Sequence, residues 1–150
     1  MGQTLTSILL HVIFSTKNRA PDIRPPTRER LWHYIAGTMK SSGTKVHIIN
    51  GGPDHIHVLF TLPPTLPLAD PMRLAKTNSS RWLRREFPAH RGFAWQPGYA
   101  AFSVSYSRFN EVFEYIAHQE THHRSRSFEE ELVSLLEKNE LEFEEKHLWS

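Results

Sequence analysis

The 150 residues suit one domain around one core, and 39% hydrophobic against 23% charged residues describes a globular chain in water. The absence of cysteine excludes a disulfide framework, a cysteine zinc cluster and a thiol nucleophile. The net charge of +2 hides an asymmetry: residues 1–110 carry 14 Lys+Arg against 5 Asp+Glu, and residues 111–150 carry 4 against 11. A basic body with an acidic tail points to an anionic partner for the body, or to an acidic helix that only offsets the total.

The first predicted strand runs from Ile8 to Thr16, rich in β-branched and aromatic residues. Its apolar run, Leu9 to Phe14, is too short for a secretory signal and follows no basic segment. No stretch approaches the ~20 apolar residues that span a bilayer. A cytoplasmic protein with no membrane partner is expected.

After a loop with Pro21, Pro25 and Pro26, Thr27 is a candidate N-cap for a helix to about Ser42, stopped by Gly43. Lys45 to Asn50 and His55 to Leu62 read as antiparallel strands joined by a Gly51-Gly52-Pro53-Asp54 turn. A helix from about Leu68 to Phe87 carries Lys76, Arg81, Arg84 and Arg85, and Pro88 ends it. Phe93 to Trp95 and Tyr99 to Ser105 read as short strands. A helix from about Phe109 to His123 follows. A last helix starts near Ser127, whose partner Glu130 makes a capping box. The order β-α-β-β-α-β-α predicts a single α+β domain over 1–150 of the ferredoxin-like or RRM-like kind, an antiparallel sheet with helices on one face. Within it stand a basic body (1–110), a tyrosine helix (108–123) and an acidic C-terminal helix and tail (127–150).

His55 and His57, two apart on a strand, share one face, while Ile56, Val58 and Phe60 point the other way into the core. Two imidazoles so held can take one metal ion. Among ten histidines, however, a His-x-His pair also arises by chance, and the pair alone leaves both readings open. On the later helix, Phe109, Val112, Phe113 and Ile116 form an apolar stripe. Tyr115 lies roughly 110° from its centre, with Gln119 and His122 stacked beyond it at i+4 and i+7. A phenol, an amide and an imidazole in a row suit nucleophilic chemistry beside a metal, and equally suit a helix rim in water.

These segments, in this order, resemble the single-tyrosine transposases of small bacterial insertion sequences, the His-hydrophobic-His (HUH) type. The likeness covers nearly the whole chain. It rests on His11-Val12-Ile13-Phe14-Ser15-Thr16-Lys17, on Asn50-Gly51-Gly52-Pro53-Asp54-His55-Ile56-His57, on Ser79-Ser80 and on Trp95-Gln96-Pro97-Gly98-Tyr99. It rests also on Tyr115-Ile116 with Gln119-Glu120 and His122-His123. Lys76-Thr77 stands where the family would have lysine-glycine before the paired serines.

The resemblance implies an enzyme that cleaves and rejoins single-stranded DNA with hairpin ends through a 5′-phosphotyrosine. Tyr115 would be the nucleophile, and His55, His57 and Gln119 would hold Mg²⁺ or Mn²⁺, with His122 beside the site. It also implies a homodimer. The ligands read by themselves, two imidazoles and an amide, would suit zinc, copper or nickel better than magnesium. Lys76, Arg81, Arg84 and Arg85 are candidate phosphate contacts. Other readings are a host-retained protein processing repetitive palindromes, a DNA-binding protein without catalysis, a metal-dependent hydrolase using His55, His57 and His122, and an RNA-binding module. The last would show aromatics where the histidine pair stands.

Overall fold

The computed structural model describes residues 1–149, with Arg124 and Ser125 described through their backbone alone. Ser150, the end of the expected acidic tail, lies outside the described residues. Four strands, β1 (Leu9–Ser15), β2 (Lys45–Gly51), β3 (His55–Thr61) and β4 (Ala100–Val104), form one antiparallel sheet in the order β2-β3-β1-β4. This is the ferredoxin-like order expected from the sequence. The pairing sets Val12 opposite Val58, His11 opposite Leu59 and Phe102, and Ile13 opposite His57. Every side chain on β1 and β3 is therefore assigned a face.

Helices α1 (Pro25–Ser41) and α2 (Ala69–Glu86) cover one face. Leu31, Ile35 and Met39 from α1 and Met72, Ala75 and Leu83 from α2 bury Val12, Phe14, Ile56, Val58 and Phe60. Helix α1 starts two residues before the expected Thr27 cap. Pro25 and Pro26 open it, because their fixed φ suits the first turn and their missing N–H is an orphan there anyway. Gly43 ends it at φ +89°, in the left-handed region. Phe87, extended ahead of Pro88, ends α2 as expected. Of the two strands expected near residue 95, one forms as β4; Trp95 makes a single bridge to Thr16.

The opposite face carries its own helical layer, beyond the helices on one face that the element order suggested. Helices α3 (Phe109–Ala117), α4 (Gln119–Ser125) and α5 (Phe128–Lys138) follow β4, and a short α6 (Glu145–Leu148) closes the chain. Ile116 from α3 packs on Leu9 and Leu59, while Phe128, Leu132 and Leu136 from α5 pack on Ile13 and Phe102. The expected continuous helix 109–123 is broken at His118 (φ −105°, ψ 32°). Ser127 caps α5 by accepting from the Glu130 N–H at 3.2 Å. The return half of the expected box is different, since the Ser127 hydroxyl donates to the Glu130 carboxylate. No described helix is long and apolar enough to cross a membrane.

Candidate active site

The histidine strand meets the tyrosine helix of the same chain on the second face of the sheet. His55 and His57 are both buried, and alternation along β3 points them away from the Val58 core. The turn before them needs its glycines. A Cβ on Gly52 would stand 2.9 Å from the His55 ring, and one on Gly51 would stand 2.2 Å from the His55 carbonyl oxygen. Asp54 accepts a hydrogen bond from His55 Nδ1 at 2.8 Å, which fixes the ring and turns Nε2 towards the site.

Asn50, on the neighbouring strand, anchors the tyrosine helix. Its Nδ2 donates to the carbonyls of Ile116 at 3.0 Å and Ala117 at 3.2 Å. These are orphan carbonyls at the C-terminal end of α3, where the break at His118 interrupts the helical ladder. The break lets Gln119 start a new helix with its side chain fully buried against the histidines. Its Oε1 lies 3.3 Å from His55 Nε2 and accepts from His123 Nε2 at 3.0 Å. Its Nε2 faces the Tyr115 carbonyl at 3.5 Å and Glu131 at 3.4 Å, the amide orientation that gives both oxygens a donor.

Glu131, His123 and His11 complete the site, and sequence reasoning gave none of them a role there. Glu131, fully buried on α5, points one carboxylate oxygen at His57 Nε2 at 3.0 Å and the other at the Tyr115 hydroxyl, which donates to it in a very short hydrogen bond. His123 stands 3.5 Å from the same carboxylate. His11, buried on β1, meets His57 Nδ1 at 2.8 Å. His122 stacks its ring on Tyr115, 4.5 Å between centroids. Phe128 stacks on His55 at 4.0 Å.

Burial pulls His11 down to about 3 and His57 down to about 4, the latter against the raising effect of Glu131. Both shifts favour the neutral imidazole. Burial alone would raise the Glu131 carboxyl, but hydrogen bonds from His123, His57 and Tyr115 outweigh it and hold it well below the usual carboxylate range. Burial, then the bond to Glu131, pushes the Tyr115 phenol well above its ordinary value, so it is protonated at rest.

The donor set fits a divalent cation. His55 Nδ1 faces the Asp54 carboxylate at 2.8 Å and its Nε2 faces Gln119 Oε1 at 3.3 Å. Nitrogen atoms of His55 and His57 and an oxygen of Glu131 lie within 4.8 Å of one another, all buried. Imidazole nitrogens and a carboxylate gathered in a water-poor pocket are donors that suit a divalent cation once the ring nitrogens give up their hydrogens. The carboxylate makes the set harder than the two imidazoles and an amide expected from sequence.

The basic residues of α2 lie elsewhere. Lys76 donates to the carbonyls of Gln96 at 2.7 Å and Gly98 at 2.6 Å, and Arg84 donates to the Phe93 carbonyl at 3.0 Å. Arg85 pairs with Glu86, and Arg81 is exposed. All four belong to the helix on the far face of the sheet, so the structure does not bring them to the tyrosine. The paired-serine and Trp-Gln-Pro-Gly segments are joined instead by a scaffolding bond, Trp95 Nε1 to Ser79 Oγ at 2.9 Å, and Ser15 Oγ on β1 donates to Gln96 Oε1 at 2.6 Å.

A family profile described as IS200-like transposase matches residues 4–119. The chain belongs to the IS200-like transposase family. No curated protein matches it. Two solved structures share the transposase fold. One is a candidate transposase from Deinococcus radiodurans R1, 22% identical, with TM-score 0.63 over 79% of this chain and 96% of its own. The other is a REP-associated tyrosine transposase solved bound to a REP hairpin, 15% identical, with TM-score 0.62 over 82% of this chain and 72% of its own. His55, His57, Tyr115 and Gln119 all fall within the transposase match, and Glu131 and His123 lie beyond it.

Proposed function

We propose that this transposase cleaves and rejoins single-stranded DNA through a 5′-phosphotyrosine on Tyr115, beside a divalent cation, Mg²⁺ or Mn²⁺, held by His55, His57, Gln119 and Glu131. The observation that carries the reading is one carboxylate, Glu131, facing the histidine pair with one oxygen and the tyrosine hydroxyl with the other.

A protonated phenol is a poor nucleophile, and a free tyrosine is only ~0.1% ionised at pH 7. Glu131 addresses this. As Tyr115 Oη attacks phosphorus, its proton passes along the existing hydrogen bond to the carboxylate. The bond from phosphorus to the 3′-oxygen breaks, and that oxygen takes a proton from water. The new ester keeps the phosphoryl group activated. A different 3′-OH can then attack it, and Tyr115 departs and recovers its proton. A bound cation supplies charge neutralisation at the attacked phosphate. His11 and Asp54 orient His57 and His55 from behind, as supporting partners of metal ligands do.

Hairpin-ended DNA as substrate is supported by the neighbour solved with a REP hairpin. Excision needs two cleavages and each chain offers one such tyrosine, which favours a homodimer working on the cell's DNA in the cytoplasm. Hairpins bounding the gene would mark a mobile insertion sequence; scattered palindromes matched to the protein would mark a host-retained processor.

The test is incubation with labelled single-stranded DNA bearing the gene's flanking hairpin, with Mg²⁺ or Mn²⁺, followed by denaturation. Wild type is expected to carry covalently attached DNA and Tyr115→Phe none. Cleavage that persists in Tyr115→Phe, with no adduct, refutes the reading in favour of hydrolysis.

A further inference from the structure

A cavity opens beside Tyr115, between β4, α3 and α5. Its volume is about 270 Å³. His11, Phe102 and Tyr115 form its inner wall, and Arg108, Arg126 and Lys138 stand around its mouth. Their positions in the chain are unrelated, so only the fold gathers three cations here. Among the described residues, Glu111 is the one carboxylate in the lining, and it is taken up by Arg108 in an exposed two-bonded pair at 2.7 and 3.0 Å. The lining therefore carries more cationic than anionic side chains. Arg126 lines the cavity together with the tyrosine. It sits in extended backbone (φ −157°, ψ 154°) between α4 and α5, and its side chain lines the same cavity as the Tyr115 ring. Lys138 is exposed in the last turn of α5, where a cation also suits the helix dipole.

We propose that this cavity seats the sugar-phosphate backbone of the single strand next to the linkage that Tyr115 attacks, with Arg126 and Lys138 binding its phosphates. The inference rests on the tyrosine chemistry proposed above. A strand with one phosphate at the Tyr115 hydroxyl must continue across adjoining surface, and this is the cationic cavity that shares the tyrosine wall. The α2 arginines lie across the sheet and cannot serve the neighbouring linkage. The volume falls just short of the ~300–1,000 Å³ of small-molecule pockets, which suits one sugar-phosphate unit and excludes a duplex. A planar guanidinium can grip two phosphate oxygens, and the Lys138 ammonium adds a movable charge.

The experiment measures binding of fluorescein-labelled oligodeoxythymidine by anisotropy across a chloride series, in a Tyr115→Phe background that cannot cleave. Removing one cation that neutralises a phosphate of single-stranded DNA lowers the log–log salt slope by about 0.7. Arg126→Ala and Lys138→Ala are each expected to show a decrease of about that size, and Arg126→Lys to retain most of the parent slope. Lys138 is exposed, so its variant tests the cavity without disturbing the fold. Unchanged slopes in both alanine variants, with normal binding by the parent, overturn the cavity assignment and leave the tyrosine chemistry standing. Absence of DNA binding by the parent overturns both. Inorganic phosphate replacing chloride at equal ionic strength is expected to leave DNA affinity unchanged. Selective displacement that depends on Arg126 would make the cavity a free-phosphate site and overturn the proposal.

Discussion

Glu131 serves four neighbours with one carboxylate. It accepts from Tyr115, His57 and Gln119 and faces His123, with no solvent exposure of its own. Removing it in Glu131→Ala leaves several buried donors without acceptors, each costing ~1–3 kcal/mol. The variant is expected to be destabilised by about 2–4 kcal/mol in chemical denaturation, and no change would show that water replaces the carboxylate. The cation makes a separate prediction. At a Mn²⁺ concentration of ~100 Kd, binding to the native state adds about 2.7 kcal/mol. For a domain of this size that is roughly a 5–10 °C rise in the unfolding midpoint. Wild type should show it, and His55→Ala and His57→Ala should not; an equal rise in all three would place the ion elsewhere. The histidine pair was legible because alternation on a strand needs only two residues. Glu131 was hidden by its surroundings: in a run of acids it read as solvated. The signal was present, since Glu131 is three residues from Phe128 and next to Leu132, on the stripe that faces the core.

At the level of elements, the tyrosine is positioned by a helix end. Asn50 satisfies two carbonyls where α3 stops, and so ties Tyr115 to the edge of the histidine strand pair. Asn50→Ala is expected to cost about 1 kcal/mol, similar to removal of a helix cap, and to lower kcat for adduct formation at least tenfold with DNA affinity unchanged. A fall in affinity with kcat intact would assign Asn50 to DNA binding instead. Gly52→Ala should act from the other side, pressing on the His55 ring and weakening Mn²⁺ affinity in calorimetry. Helix periodicity drew 109–123 as one rod, because Gln119 and His122 continue the helical spacing from Tyr115 and no Pro or Gly interrupts it. The break is decided by Asn50, sixty-six positions from Ile116 in sequence, and no local pattern contains that information. It also explains why His123 reaches Gln119 Oε1 while His122 stacks on the phenol ring.

Across the whole molecule, one sheet separates a structural core from a chemical one. Val12, Ile56 and Val58 bury against α1 and α2, and the alternate residues His11, His55 and His57 are enclosed by α3 to α5. The second layer is thinner, so a cavity there should loosen the site before it unfolds the chain. Leu136→Ala, at the α5 contact with Ile13 and Phe102, is expected to cost about 2–5 kcal/mol and to raise hydrogen exchange in α5 ahead of α1. Uniform exchange would mean the two layers unfold together. The antiparallel sheet, the order of its strands with the first two helices, and the shared face of His55 and His57 were all readable along the chain. Each follows from periodicity or composition, which are local. That the acidic helix closes the site, that Glu131 joins tyrosine to histidines, and that Lys76 and Arg84 bind backbone carbonyls came only with the folded arrangement. Those outcomes depend on which distant surfaces meet, and burial changes a residue's chemistry only after they have met.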